Sequence, residues 1–71
     1  DFYRTFLKAI DRLPATQQKV VKMAKISDLS NKEIATALSL SEQTVKNQLS
    51  IGLKQLRAIL QKIIIMFILI Q

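Results

Sequence analysis

Between Ser41 and Ser50, side chains that donate or accept hydrogen bonds recur at close intervals: Ser41, Glu42, Gln43, Thr44, Lys46, Asn47 and Ser50. The amides of Gln43 and Asn47 suit bidentate contact with an adenine edge, and Lys46 suits a guanine edge or a phosphate. Lys32, Lys54 and Arg57 are suited to clamping phosphates, which fixes register without reading sequence. The chemistry on offer is hydrogen bonding to a groove, not the breaking of bonds.

Bond-breaking chemistry has no candidates. The 71 residues include no Cys and no His, which excludes disulfides, zinc fingers, thiol nucleophiles and His-based triads. The single Gly excludes a glycine loop that cradles phosphate. Asp11 and Asp28 are isolated acids that assemble no metal site, and Glu33 reads as a capping residue. The chain is therefore expected to be no enzyme and to need no cofactor.

Charge narrows the choice of partner. Eleven Lys and Arg against five Asp and Glu leave a net charge of +6, which suits a polyanion. The last acid is Glu42, and from Gln43 to Gln71 the only charged side chains are Lys46, Lys54, Arg57 and Lys62.

The elements that must position these groups are helices. Phe2, Phe6, Ile10 and Leu13 give an amphipathic helix over 2–13, ended by Pro14. A second helix follows, with Thr16 as the expected N-cap and Val20, Val21 and Ala24 as its buried stripe. Its row of Lys19, Lys22 and Lys25 reads as a solvated face, and Ser27, Asp28 and Leu29 interrupt the pattern. Ser30-Asn31-Lys32-Glu33 fits a capping box, in which each of the two outer side chains satisfies the other residue's amide. The helix it opens is short, with Ile34, Ala35 and Leu38 facing inward.

Ser39 and Leu40 then make a tight turn, and Ser41 caps a longer helix carrying Val45, Leu49, Leu53, Leu56 and Leu60. Gly52, inside the last helix, costs roughly 1 kcal/mol relative to Ala. Two helices joined by a tight turn, the first short with a small inward Ala35, form a helix-turn-helix. This geometry puts the second helix into a major groove while the first lies across the backbone. The expected fold is all-α: four helices with the helix-turn-helix at the centre.

The run Ile63 to Ile70 contains eight apolar residues, against about 20 needed to span a bilayer. It stands at the wrong end for a secretory leader. Two regions are expected: a DNA-binding domain over 1–62 and an apolar tail over 63–71. The tail is expected to extend the last helix and to be buried, either on the domain or against a second copy or a protein partner, rather than on a membrane. Asp1 is not an initiator methionine, so a fragment of a longer protein is expected.

Leu13-Pro14, Ser30-Asn31-Lys32-Glu33-Ile34-Ala35, Leu40-Ser41 and Thr44-Val45-Lys46 together resemble region four of bacterial sigma factors, with the extracytoplasmic-function group nearest. The resemblance covers residues 5 to 60. It implies a DNA-binding domain, acting in the bacterial cytoplasm, that recognises the promoter −35 element and docks on the β flap of RNA polymerase. It also implies DNA contact by Lys32 and the face from Ser41 to Ser50. An anti-sigma factor and self-association through Ile63–Ile70 join the expected partners; a membrane does not. The output domain of LuxR-type regulators shares Asn31-Lys32-Glu33-Ile34-Ala35 and Thr44-Val45-Lys46, and is the alternative, beside a helical protein-interaction module. Ile10-Asp11-Arg12-Leu13-Pro14 and Leu53-Lys54-Gln55-Leu56-Arg57 favour the sigma reading. The resemblance also implies a left-handed turn at Ser39, where both families often use glycine and serine costs roughly 1–2 kcal/mol.

Overall fold

The computed structural model describes residues 2–70, leaving Asp1, Gln71 and the side chain of Ile70 outside the description. Four helices follow in order: α1 (Phe2–Ile10), α2 (Ala15–Lys25), α3 (Asn31–Leu38) and α4 (Glu42–Ile70). The described residues contain no strand, so the all-α expectation holds. The 29 residues of α4 extend about 43 Å at 1.5 Å per residue, close to the longest dimension of the molecule, 45 Å. α4 is the spine, and α1, α2 and α3 all pack against it.

Two apolar clusters hold the helices to this spine. In one, Ala9, Ile10 and Leu13 meet Val21 and Leu56, with Phe6, Leu53, Ile59 and Leu60 around them. In the other, Val20, Ile34, Ala35 and Val45 close the wedge between α2, α3 and the start of α4. Leu49 packs against both and so couples the helix-turn-helix to the supporting pair.

The ends of α3 follow from its caps. The Ser30 hydroxyl accepts from the Glu33 amide at 3.1 Å, and the Glu33 carboxylate accepts from the Ser30 amide at 2.9 Å. The Ser30 amide is the main cause of a lowered Glu33 pKa, with the Ser30 hydroxyl second. Because the folded value lies below the ordinary 4.5, this stabilisation is complete above the unfolded value and is lost as pH falls through the folded one. Glu33→Gln should flatten that acid limb, so the melting midpoint of the variant falls less than that of the parent between about pH 6 and pH 3. Identical profiles would show that the carboxylate adds nothing to the cap.

At its other end α3 stops on Ser39, at φ 56° and ψ 43°. The Leu40 amide donates to the Ala35 carbonyl at 2.9 Å and the Ser39 amide to the Thr36 carbonyl at 3.4 Å, the paired bonds of a Schellman motif. The expected left-handed serine is therefore in place. Ser39→Gly should raise stability by about 1 kcal/mol, because glycine adopts this conformation without steric penalty. A higher denaturation midpoint at unchanged slope would show it; an unchanged or lower midpoint would refute it.

Three local expectations need correction. α1 ends at Ile10, and residues 11–13 form a turn that still buries Leu13. Phe2, on the apolar side of α1, is 69% exposed, lining an open groove with Tyr3, Phe6, Lys25 and Ile26 at the very end of α2. α2 starts at Ala15 with Pro14 as its N-cap and no side-chain cap, so Thr16 lies within the first turn. Proline supplies the entry by its fixed φ, and its carbonyl accepts from the Gln18 amide at 2.9 Å. The Gln18 side-chain amide ties the turn further, donating to the Asp11 carbonyl at 3.1 Å.

The tail continues α4 without a break at 62/63, as expected. Its packing onto the domain does not occur. Ile63 is half-buried, whereas Ile64 to Leu69 are exposed, from 49% at Ile64 to 78% at Leu69. The reason is length: the Arg12 side chain, beside Lys62, Ile63, Met66 and Phe67, is the last group of the α1–α2 turn to reach the tail. Among the described residues no helix is long and apolar enough to cross a membrane.

Candidate nucleic-acid interface

α4 is oriented from inside. Val45 is fully buried with Val20 and Ile34, and Ala35, 6% exposed, is small enough to let α3 approach α4. With Val45, Leu49, Gly52 and Leu56 turned toward the core, the opposite face carries Gln43, Lys46, Asn47, Ser50, Lys54 and Arg57, all exposed. These six lie along one side of α4, as the sequence suggests. Ser50, Lys54 and Arg57 line a common shallow cleft with Leu53. Lys32 stands exposed in the first turn of α3.

Ser41, Glu42 and Thr44 have a different local role. The Ser41 hydroxyl accepts from the Thr44 amide at 3.0 Å and bonds the Thr44 hydroxyl at 2.8 Å. Ser41 is therefore an N-cap, as expected, and Thr44 is half-buried behind it. Glu42 occupies the first turn of α4, where a carboxylate is favoured by the positive end of the helix dipole.

Several features escape a reading of the sequence. Gln43 Nε2 donates to Asn47 Oδ1 at 3.0 Å, joining two residues assigned separate contacts; their i, i+4 spacing was the available signal. Gly52 is buried where α2 crosses α4: a Cβ built there would lie 2.9 Å from Val21 Cγ2 and 3.4 Å from Gln17 Cβ. Gln17, 8% exposed, is buried at the same crossing, and its Oε1 has no hydrogen-bond partner. Lys22 bridges to Asp11 at 3.5 Å, which gives one member of the lysine row a local partner.

No group of acidic residues among those described could hold a metal ion. The arrangement offers a positively charged helical face with amide donors and acceptors, held at a fixed angle by an apolar wedge. A comparison with curated proteins finds no match. Residues 3–56 match the family described as sigma-70, region 4, a span that takes in α1 from Tyr3, all of α2 and α3, the first half of α4 and every residue of the exposed polar row except Arg57. Family and geometry agree on a DNA-binding helix-turn-helix, and the chain belongs to the sigma-70 region 4 family.

Proposed function

We propose that this chain is the part of an extracytoplasmic-function sigma factor that recognises the promoter −35 element in the bacterial cytoplasm and docks on the β flap of RNA polymerase. Residues 1–62 form the DNA-binding unit. The observation that carries the reading is the exposed row of Gln43, Lys46, Asn47 and Ser50 on a helix fixed by buried Val45. Ser41, Glu42 and Thr44 bring the start of α4 to the groove, and Lys32, Lys54 and Arg57 hold phosphates.

Selection of the chain against random duplexes at two salt concentrations tests this. A short enriched motif with a steep salt dependence is expected. Lys46→Ala should weaken binding and reduce the salt slope by about 1 if the lysine meets a phosphate. Absence of both enrichment and salt-dependent binding would refute the reading.

The exposed Ile64–Leu69 segment favours a second reading, in which the tail binds protein: another copy through Ile63–Ile70, or an anti-sigma factor. Association through apolar surface should be insensitive to salt where DNA binding is not. Sedimentation at rising protein concentration, with Phe67→Lys as the control, measures the self-association.

A further inference from the structure

We propose that Gln43 and Asn47 read DNA as one unit, and that the direction of the hydrogen bond between them sets which base edge each accepts. The inference rests on the DNA-binding reading above and goes beyond it. Two free amides would each offer one donor and one acceptor, the bidentate match to adenine. These two are not free. Gln43 Nε2 donates to Asn47 Oδ1 at 3.0 Å, and both side chains are exposed on the reading face.

The bond leaves an asymmetric pattern. Asn47 keeps both Nδ2 protons but only one of the two lone pairs on Oδ1, and Gln43 keeps both lone pairs on Oε1 but only one Nε2 proton. The pair is therefore donor-rich at Asn47 and acceptor-rich at Gln43. The two amide ends meet at 3.0 Å, close to the spacing of about 3.4 Å between successive base pairs, so they address neighbouring steps. The bond biases Asn47 toward an acceptor edge, guanine O6 or N7 or thymine O4, and Gln43 toward a donor edge, adenine N6 or cytosine N4. Gln43 is thus also a positioning residue for Asn47, since it fixes which end of the Asn47 amide remains available.

Two substitutions at Gln43 separate this from independent contacts. A carboxylate accepts but cannot donate. In Gln43→Glu, the bond forms only if the Asn47 amide turns over and donates through Nδ2, which frees Oδ1. Gln43→Met retains length but makes no such bond. Selection from a random duplex pool, with binding to a fixed non-cognate duplex as control, reads out both variants beside the parent and Asn47→Ala.

Gln43→Glu is expected to shift the preference under Asn47 from guanine or thymine toward adenine or cytosine. Gln43→Met should relax that position and the adjacent one together, by at least about fivefold in preference, with the salt slope on the control duplex unchanged. If both Gln43 variants leave the base under Asn47 as it was, the coupled unit is refuted and the DNA-binding reading stands. If the parent enriches no motif and shows no salt-dependent binding, the DNA-binding reading fails and the inference falls with it.

Discussion

Ile34→Ala is expected to lose about 2–5 kcal/mol of stability. Ile34 is fully exclusive of solvent and packs with Val20 of α2 and Val45 of α4, so truncation opens a hole at the junction of three helices. A chain of 71 residues at the usual 0.05–0.15 kcal/mol per residue has only about 4–11 kcal/mol in total. The melting midpoint should fall by at least about 10 °C. DNA binding should weaken with it, because the wedge that orients α4 is the part removed. Ile34→Val should cost only about 0.5–1.5 kcal/mol and leave binding intact. Equal effects of the two substitutions in calorimetry would mean that the wedge tolerates a void and does not set the angle of the reading helix.

The second large effect is at Gly52. Propensity alone favours a larger residue there, by about 1 kcal/mol for alanine. Packing opposes it. The added Cβ would meet Val21 Cγ2 at 2.9 Å, and Val21 is fully buried with a β-branched side chain that has little rotamer freedom. Gly52→Ala is therefore expected to be a net loss of about 1 kcal/mol, and Gly52→Leu a loss of about 3 kcal/mol. Adding Val21→Ala should recover part of the Gly52→Ala loss, so that the pair costs less than the sum of its members by at least about 0.5 kcal/mol. Additive denaturation midpoints, or a stabilised Gly52→Ala, would place the contact elsewhere.

Gly52 also shows where reading the sequence stops. Its propensity penalty is local and legible; the reason it stands there is the approach of α2, which no spacing along α4 contains. The same holds for Gln17, whose burial arises from that crossing. Local chemistry was legible where it closes within a few residues. Ser30 with Glu33, Ser41 with Thr44, and the left-handed Ser39 all satisfy groups on their own or adjoining turns.

The apolar stripes named the core correctly at Ile10, Leu13, Val20, Val21, Ile34 and Val45. Phe2 is exposed, and the domain itself does not cover the tail from Ile64 to Leu69. In both places the helix carries its apolar pattern beyond the end of the element that would cover it. Periodicity specifies which face is apolar, but not how far the neighbouring helix extends. On the candidate interface, the exposed face was legible from the same periodicity, whereas the bond from Gln43 to Asn47 depends on side-chain rotamers.

The unbroken α4 has a mechanical consequence. A helix about 43 Å long, pinned near its middle by Gly52 and Leu56, is a lever with two arms. One arm carries Gln43 and Asn47; the other ends in the exposed tail. A tilt of about 5° around the midpoint displaces each end by about 2 Å, more than half the 3.4 Å spacing of base pairs. A load on the tail would therefore reach the end that carries Gln43 and Asn47 as a sideways shift, passed along about eight helical turns of backbone hydrogen bonds and resisted there by the wedge around Val45.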